Sequence, residues 1–206
     1  MLRILFSIIF ISIAFATANA QQRFQAGILG GLNVSQIRGD DTGGFNKIGL
    51  VGGLRVNTIL TEKMDVTLEL AYSQRGSRSD RNEQLNGVDV EIDLRYVEVP
   101  VLYNFKDWLD EEEDYYKVQA SIGFAYARLI NVDALGDTNE HASETENFAK
   151  DDFSFMIGAE YFIGPKFSIS ARWGTSINLL YNNQKNNPNI NGLRGHFLTF
   201  RGNYFF

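Results

Sequence analysis

The sequence predicts an all-β chain, an eight-stranded antiparallel transmembrane β-barrel with short periplasmic turns and longer external loops. Three observations carry this. Eight segments alternate apolar and polar residues with period two, the connections between them alternate short and long, and an export signal precedes a chain with no later long apolar run. The 16 Phe, 9 Tyr and 19 Gly suit strands that put alternate residues against lipid, although a soluble β-sandwich would use them too.

Residues 1–20 have the three-part design of a signal peptide. Arg3 is the positive start, Ile4 to Phe15 is apolar apart from two serines, and Ala18-Asn19-Ala20 is a small-x-small cleavage pattern. The apolar run is far shorter than the roughly twenty residues of a spanning helix, so the outer-membrane barrel domain is expected to be residues 21–206, mature from Gln21. No cysteine is present, which excludes a lipid anchor on cysteine, a disulfide framework and thiolate metal sites. Loss of Arg3 leaves 18 basic and 25 acidic residues, a net charge of −7 that argues against nucleic acid.

The alternating segments lie near 23–34, 48–59, 66–75, 91–106, 115–130, 152–163, 167–174 and at the C-terminus. The third is the clearest: Val66, Leu68, Leu70 and Tyr72 share one face, and Thr67, Glu69, Ala71, Ser73 and Arg75 the other. The seventh sets Phe167, Ile169, Ala171 and Trp173 against Ser168, Ser170, Arg172 and Gly174. The connections after the second, fourth and sixth segments are compact: 60–63, 107–114 and 164–166. Those after the first, third, fifth and seventh are long and polar, roughly 35–47, 79–90, 131–151 and 181–194. An outer-membrane barrel has this asymmetry between its two ends.

Gly27-Ile28-Leu29-Gly30-Gly31-Leu32 is echoed by Gly49-Leu50-Val51-Gly52-Gly53-Leu54, which fits hairpin construction with close strand approach. A phosphate-cradling loop would need the Lys-Ser/Thr that is missing here. In the fourth segment the apolar parity changes, from Ile92, Leu94 and Tyr96 to Val97, Val99, Val101 and Tyr103. That predicts a one-residue bulge beside Tyr96, which would also accommodate Pro100.

Alternation alone does not say which face is inside. The signal peptide, the aromatic terminus Phe206 and charges of both signs in mid-strand favour a polar interior and a lipid-facing apolar wall. Eight strands enclose a lumen that side chains nearly fill, so Glu69, Arg95, Glu98, Glu160, Arg172 and Arg201 are the expected lumen charge network, with Arg55 near a strand end. Leu198, Phe200, Tyr204 and Phe206 form an outward row on the closing strand, the expected C-terminal insertion signal.

Several stretches resemble the PorT-like outer-membrane barrels of Bacteroidetes. They are Gly30-Gly31-Leu32-Asn33-Val34-Ser35, Glu69-Leu70-Ala71-Tyr72-Ser73-Gln74-Arg75-Gly76, Gly158-Ala159-Glu160-Tyr161 and Ala171-Arg172-Trp173. Tyr96-Val97-Glu98-Val99-Pro100-Val101-Leu102 is the most specific. The resemblance covers the whole mature chain and implies an eight-stranded barrel in a Bacteroidetes outer membrane. The family's namesake is linked to type IX secretion and gliding, and most members have no assigned role.

No catalytic, cofactor or metal site stands out. His141-x-Ser143 resembles the pair of membrane-embedded lipid A deacylases, but it falls in a polar loop with no alternation to fix its geometry. His196 opens the last strand without a serine or cysteine beside it and reads as an interfacial polar residue. Asp107 to Asp114 holds six acids in eight residues, a solvated turn unless it meets a cation or a basic periplasmic partner. Arg38-Gly39-Asp40 spells an adhesion tripeptide by chance, and Asn182 to Asn191 is an asparagine-rich external loop.

The expected role is structural, or that of an accessory subunit of envelope or secretion machinery, and neither an enzyme nor an open pore. Expected partners are outer-membrane lipid, the β-barrel assembly machinery during insertion, and an envelope or secretion protein. The alternatives are a small-solute porin-like channel and a soluble periplasmic ligand-binding barrel.

Overall fold

The computed structural model describes residues 23–39, 44–80, 90–136, 148–180 and 192–206. The leader, His141, Ser143 and the asparagine-rich loop lie outside the described residues. Eight strands follow in chain order: β1 (Phe24–Arg38), β2 (Lys47–Thr61), β3 (Met64–Arg78), β4 (Val90–Asp110), β5 (Tyr115–Gly136), β6 (Asp151–Gly164), β7 (Phe167–Ser176) and β8 (Arg194–Phe205). Each pairs antiparallel with the next, and β8 pairs with β1, so the sheet closes into a barrel without a free edge. The Gly31 and Gly53 echo serves close approach. A Cβ would stand 2.0 Å from the Phe200 carbonyl oxygen at Gly31, and 2.2 Å from that of Leu70 at Gly53.

Strands outrun the alternating segments at several ends. The 107–114 connection shrinks to a turn at 111–114, because Asp107 to Asp110 extend β4 and pair with Tyr115 to Val118. At the other end β5 continues to Gly136. Beyond the lipid the outward face no longer needs apolar residues, so the period-two signature fades while the hydrogen-bonded ladder goes on.

The expected bulge in β4 is a correction. Ile92, Asp93 and Leu94 are paired against β3 in the same register as Val101 to Phe105, so β4 does not slip. Its even-numbered residues face inward from Ile92, Leu94 and Tyr96 to Glu98, Leu102 and Asn104, all buried. The apolar parity changes because the lumen changes chemistry, from apolar at its outer end to polar below. The extra residue sits instead on β5, where Arg95 pairs with Asn131 and Tyr96 with Leu129, leaving Ile130 unmatched. Pro100 is housed by a gap in the β3–β4 ladder, which stops at Leu68–Val101 and resumes at Ala71–Glu98.

The barrel is inside out relative to a soluble protein. Leu50, Leu54, Leu68, Leu70, Phe124 and Phe200 are 51–60% exposed on the outer wall, whereas Arg55, Glu69 and Glu160 are at most 3% exposed inside. A continuous apolar wall of this kind requires lipid, which removes the soluble binding barrel as a reading. On β6 the outward residues Phe153 to Ile163 span ten residue steps. That is about 33 Å of strand, or about 25 Å of height at the tilt such barrels adopt.

Candidate functional site: the plugged lumen

Inward side chains fill the bore in layers. The central layer is an ion network contributed by β2, β3, β6, β7 and β8. Glu69 accepts both terminal nitrogens of Arg172, at 2.8 Å each, and Nη1 of Arg201 at 2.9 Å. Arg55 Nε lies 4.0 Å from Glu69, while its Nη1 donates to both oxygens of Glu160 at 2.8 Å. Glu160 also accepts Ser168 Oγ at 2.5 Å and Gln119 Nε2 at 3.2 Å. Arg55 thus links two carboxylates, and its guanidinium also stands 5.0 Å from the centre of the Phe205 ring. Each charge of this layer has a counter-charge, and Arg55, Arg201 and Glu160 have further hydrogen bonds to Asn57, Ser170 and Ser168, which favours an ion network out of water.

Nearer the periplasm, Asp65 pairs with Lys106 Nζ at 2.6 Å and accepts from Asn104. Toward the outside, Arg75 pairs with Glu98 and with Asp152, the latter at 3.2 Å. Its guanidinium stands over the Phe197 ring, 3.6 Å from the ring centre. Gly174 makes room for that ring, since a Cβ there would lie 2.2 Å from it. Above this layer Ile37, Ile92, Leu94, Tyr96, Ala127 and Leu180 form an apolar plug, with Phe148 and Leu193 packed against it. The cavity beneath the plug has a volume of about 10 Å³, room for a single water. At the periplasmic mouth an open recess of about 400 Å³ is lined by Glu62, Lys106, Tyr115, Tyr116 and Phe162.

Of the six residues expected in the lumen, Glu69, Arg172 and Arg201 meet directly, Glu160 joins them through Arg55, and Glu98 belongs to the separate Arg75 layer. Arg95 is a correction. Without a slip in β4 it has the opposite parity to Glu98, so it stands on the outer wall above the lipid. There it pairs with Asp133 at 2.7 Å and Asp93 at 3.2 Å. Arg55 is central rather than peripheral, and Arg75, Asp152, Asp65 and Lys106 join the charge set. Parity alone could have found Arg75, one step of alternation beyond Ser73, and Asp152, four steps before Glu160 on the same face.

On β8 Leu198, Phe200 and Tyr204 point outward, as does Phe206 just after it, and the Phe206 N–H donates to the Ala26 carbonyl at 3.0 Å, tying the terminus to β1. His196 is on the same outer face, stacked on Trp173 with ring centres 6.5 Å apart. No group of three or more His, Cys, Asp or Glu side chains arranged to hold a metal occurs among the described residues.

The family model for the outer membrane protein beta-barrel domain matches residues 5–206. The chain belongs to that family. This outer-membrane barrel is similar in structure to Neisserial surface protein A, at 11% identity and a TM-score of 0.51, over 89% of this chain and 97% of that one. Ail, the attachment invasion locus protein of Yersinia pestis, is similar at 13% identity and a TM-score of 0.48, over 89% and 99% of the two chains. OprG from Pseudomonas aeruginosa follows at 12% identity and 0.41, over 89% and 94%. At these identities the likeness is one of fold. No curated protein matches the sequence. An outer-membrane barrel contacts membrane lipid along its whole apolar wall, in the outer membrane of a Gram-negative cell.

Proposed function

We propose that the protein is a non-catalytic structural or accessory subunit of envelope or secretion machinery, with no conducting pore. The observation that carries this is the filled bore: the paired charges around Glu69 and the apolar plug around Leu94 occupy it in successive layers, with room for about one water beneath the plug. A barrel so filled acts through its ends and its outer wall. The PorT-like stretches, above all Tyr96 to Leu102, support a Bacteroidetes origin and a place near secretion machinery. The row from Leu198 to Phe206 serves as the signal read by the β-barrel assembly machinery.

The periplasmic contact is the arm made by the ends of β4 and β5. Trp108 and Leu109 are exposed there, and Trp108 takes a left-handed backbone conformation with φ of 62°. The acids of the arm are held in place. Asp107 lies below the ordinary carboxylate range through the Trp108 backbone N–H and then Lys63, and Asp110 through Lys117. Glu111, Glu112, Glu113 and Asp114 at the tip remain for a basic partner.

The test has two arms. Pure protein in planar bilayers gives no steady conductance, and gentle solubilisation of native membranes recovers a reproducible protein partner. Neutralising Glu111 to Asp114 weakens that association, more at low salt than at high. Ohmic channels with no partner recovered would replace this reading with a small-solute channel.

A further inference from the structure

Among the described residues, the outer wall carries a pair of arginines without a carboxylate. Arg38 on β1 and Arg194 on β8 are direct cross-strand partners, both exposed and both on the lipid-facing parity. Like charges directly opposite each other on a sheet repel. The other arginines described at this end are each paired: Arg78 with Glu91, Arg95 with Asp133, and Arg128 with Asp151. Among the described residues, neither Arg38 nor Arg194 has an acidic partner.

Their height on the wall is fixed by the register. The apolar rows end at Val34 and Leu198, which pair; next come Gln36 and His196, then Arg38 and Arg194. Four residues beyond Val34 correspond to about 13 Å of strand, or about 10 Å of height after tilt, which is headgroup level for side chains as long as arginine. Below the pair, the His196–Trp173 stack sits at the boundary itself, where aromatic rings anchor barrels to the interface.

We propose that Arg38 and Arg194, above the His196–Trp173 stack, form a binding site for the phosphorylated headgroup of an outer-leaflet glycolipid. A phosphate monoester carries nearly two negative charges and enough acceptor oxygens to meet two guanidiniums at once. It converts a repulsive pair into a neutralised cluster, while Trp173 offers a flat face to a sugar ring and Leu198 and Val34 offer the start of an acyl-chain track. The site rests on the outer-membrane placement and is independent of whether the barrel serves a secretion machine.

The experiment places the full mature chain in phosphatidylcholine vesicles with and without bis-phosphorylated lipid A, and follows the thermal midpoint by gel mobility. Wild type gains stability with bis-phosphorylated lipid A and not with its dephosphorylated form. The Arg38→Gln/Arg194→Gln double variant loses that gain, and in phosphatidylcholine alone it is more stable than wild type because the repulsion is gone. Retained lipid A, counted by native mass spectrometry after detergent extraction, falls about tenfold or more in the double variant. Arg128→Gln, which breaks a paired arginine at the same end, keeps the gain. A double variant with an undiminished gain, an equal gain from dephosphorylated lipid, or the full gain from inorganic phosphate would each overturn the proposal.

Discussion

Replacing Glu69 with glutamine keeps the shape of the central side chain and removes its charge. Arg172 and Arg201 then stay buried in the lumen with no carboxylate between them, since Glu160 is already committed to Arg55. Breaking a buried pair by removing one partner costs about 3–5 kcal/mol, and here one change strands two guanidiniums. Some water will follow the charge, so about 4 kcal/mol is the expected loss. For a domain of this size that lowers the midpoint by roughly 8–16 °C. The assay is thermal or urea unfolding of the refolded barrel in micelles, read by gel mobility and far-ultraviolet circular dichroism. A Glu69→Gln/Arg201→Gln double variant should lose less than the two single variants added together, because it removes one of the stranded charges. If Glu69→Gln melts within about 2 °C of wild type, the lumen is hydrated and its charges do not depend on one another.

Glu98→Ala should cost less than Glu69→Gln in the same unfolding assay, because Arg75 keeps Asp152 and the Phe197 ring; the reverse order would show that the outer layer is the one holding the barrel. Gly174→Ala drives a methyl group into Phe197 and should destabilise by about 1–3 kcal/mol, a prediction undone by a wild-type unfolding midpoint. Deleting Phe206, which ties β8 to β1, should reduce outer-membrane levels by immunoblot more than deleting Asn187; equal levels would remove the terminus as an insertion signal. In a Trp173→Phe background, Trp108 fluorescence should be flat between about pH 5 and 9. Asp110 lies below its ordinary value, so its contribution is lost only under acid, below about pH 4, as pH falls through the folded value. Lys117 lies above its own, so its contribution is lost only above about pH 10; a transition near neutrality would contradict the Asp110–Lys117 clasp beneath the ring.

The barrel was legible because lipid on one side and a filled bore on the other impose period two on every spanning strand. The uneven connections then told the two ends apart. The plug was not legible. Ile92, Leu94 and Tyr96 look like lipid-facing residues in sequence, since an apolar lumen and an apolar bilayer select the same side chains. Reading them as outward forced a slip into β4, and that slip in turn drew Arg95 into the lumen. The partners within the network were also hidden. Local pattern gives the parity of Arg55 and Glu160, but only the closed barrel brings two side chains 105 residues apart within 2.8 Å.

The separations in the network also order the events of folding. Glu69 meets Arg172 across 103 residues of chain and Arg201 across 132, and both partners lie on the last two strands made. A sheet that has curled but not yet received β7 and β8 holds Glu69 beside Arg55 alone, with its remaining lone pairs facing an unfinished interior. The cost of entering the bilayer in that state falls away only when Arg172 and Arg201 arrive. The ion network is therefore completed only when the seam closes, because the second guanidinium on Glu69, that of Arg201, arrives with the final strand.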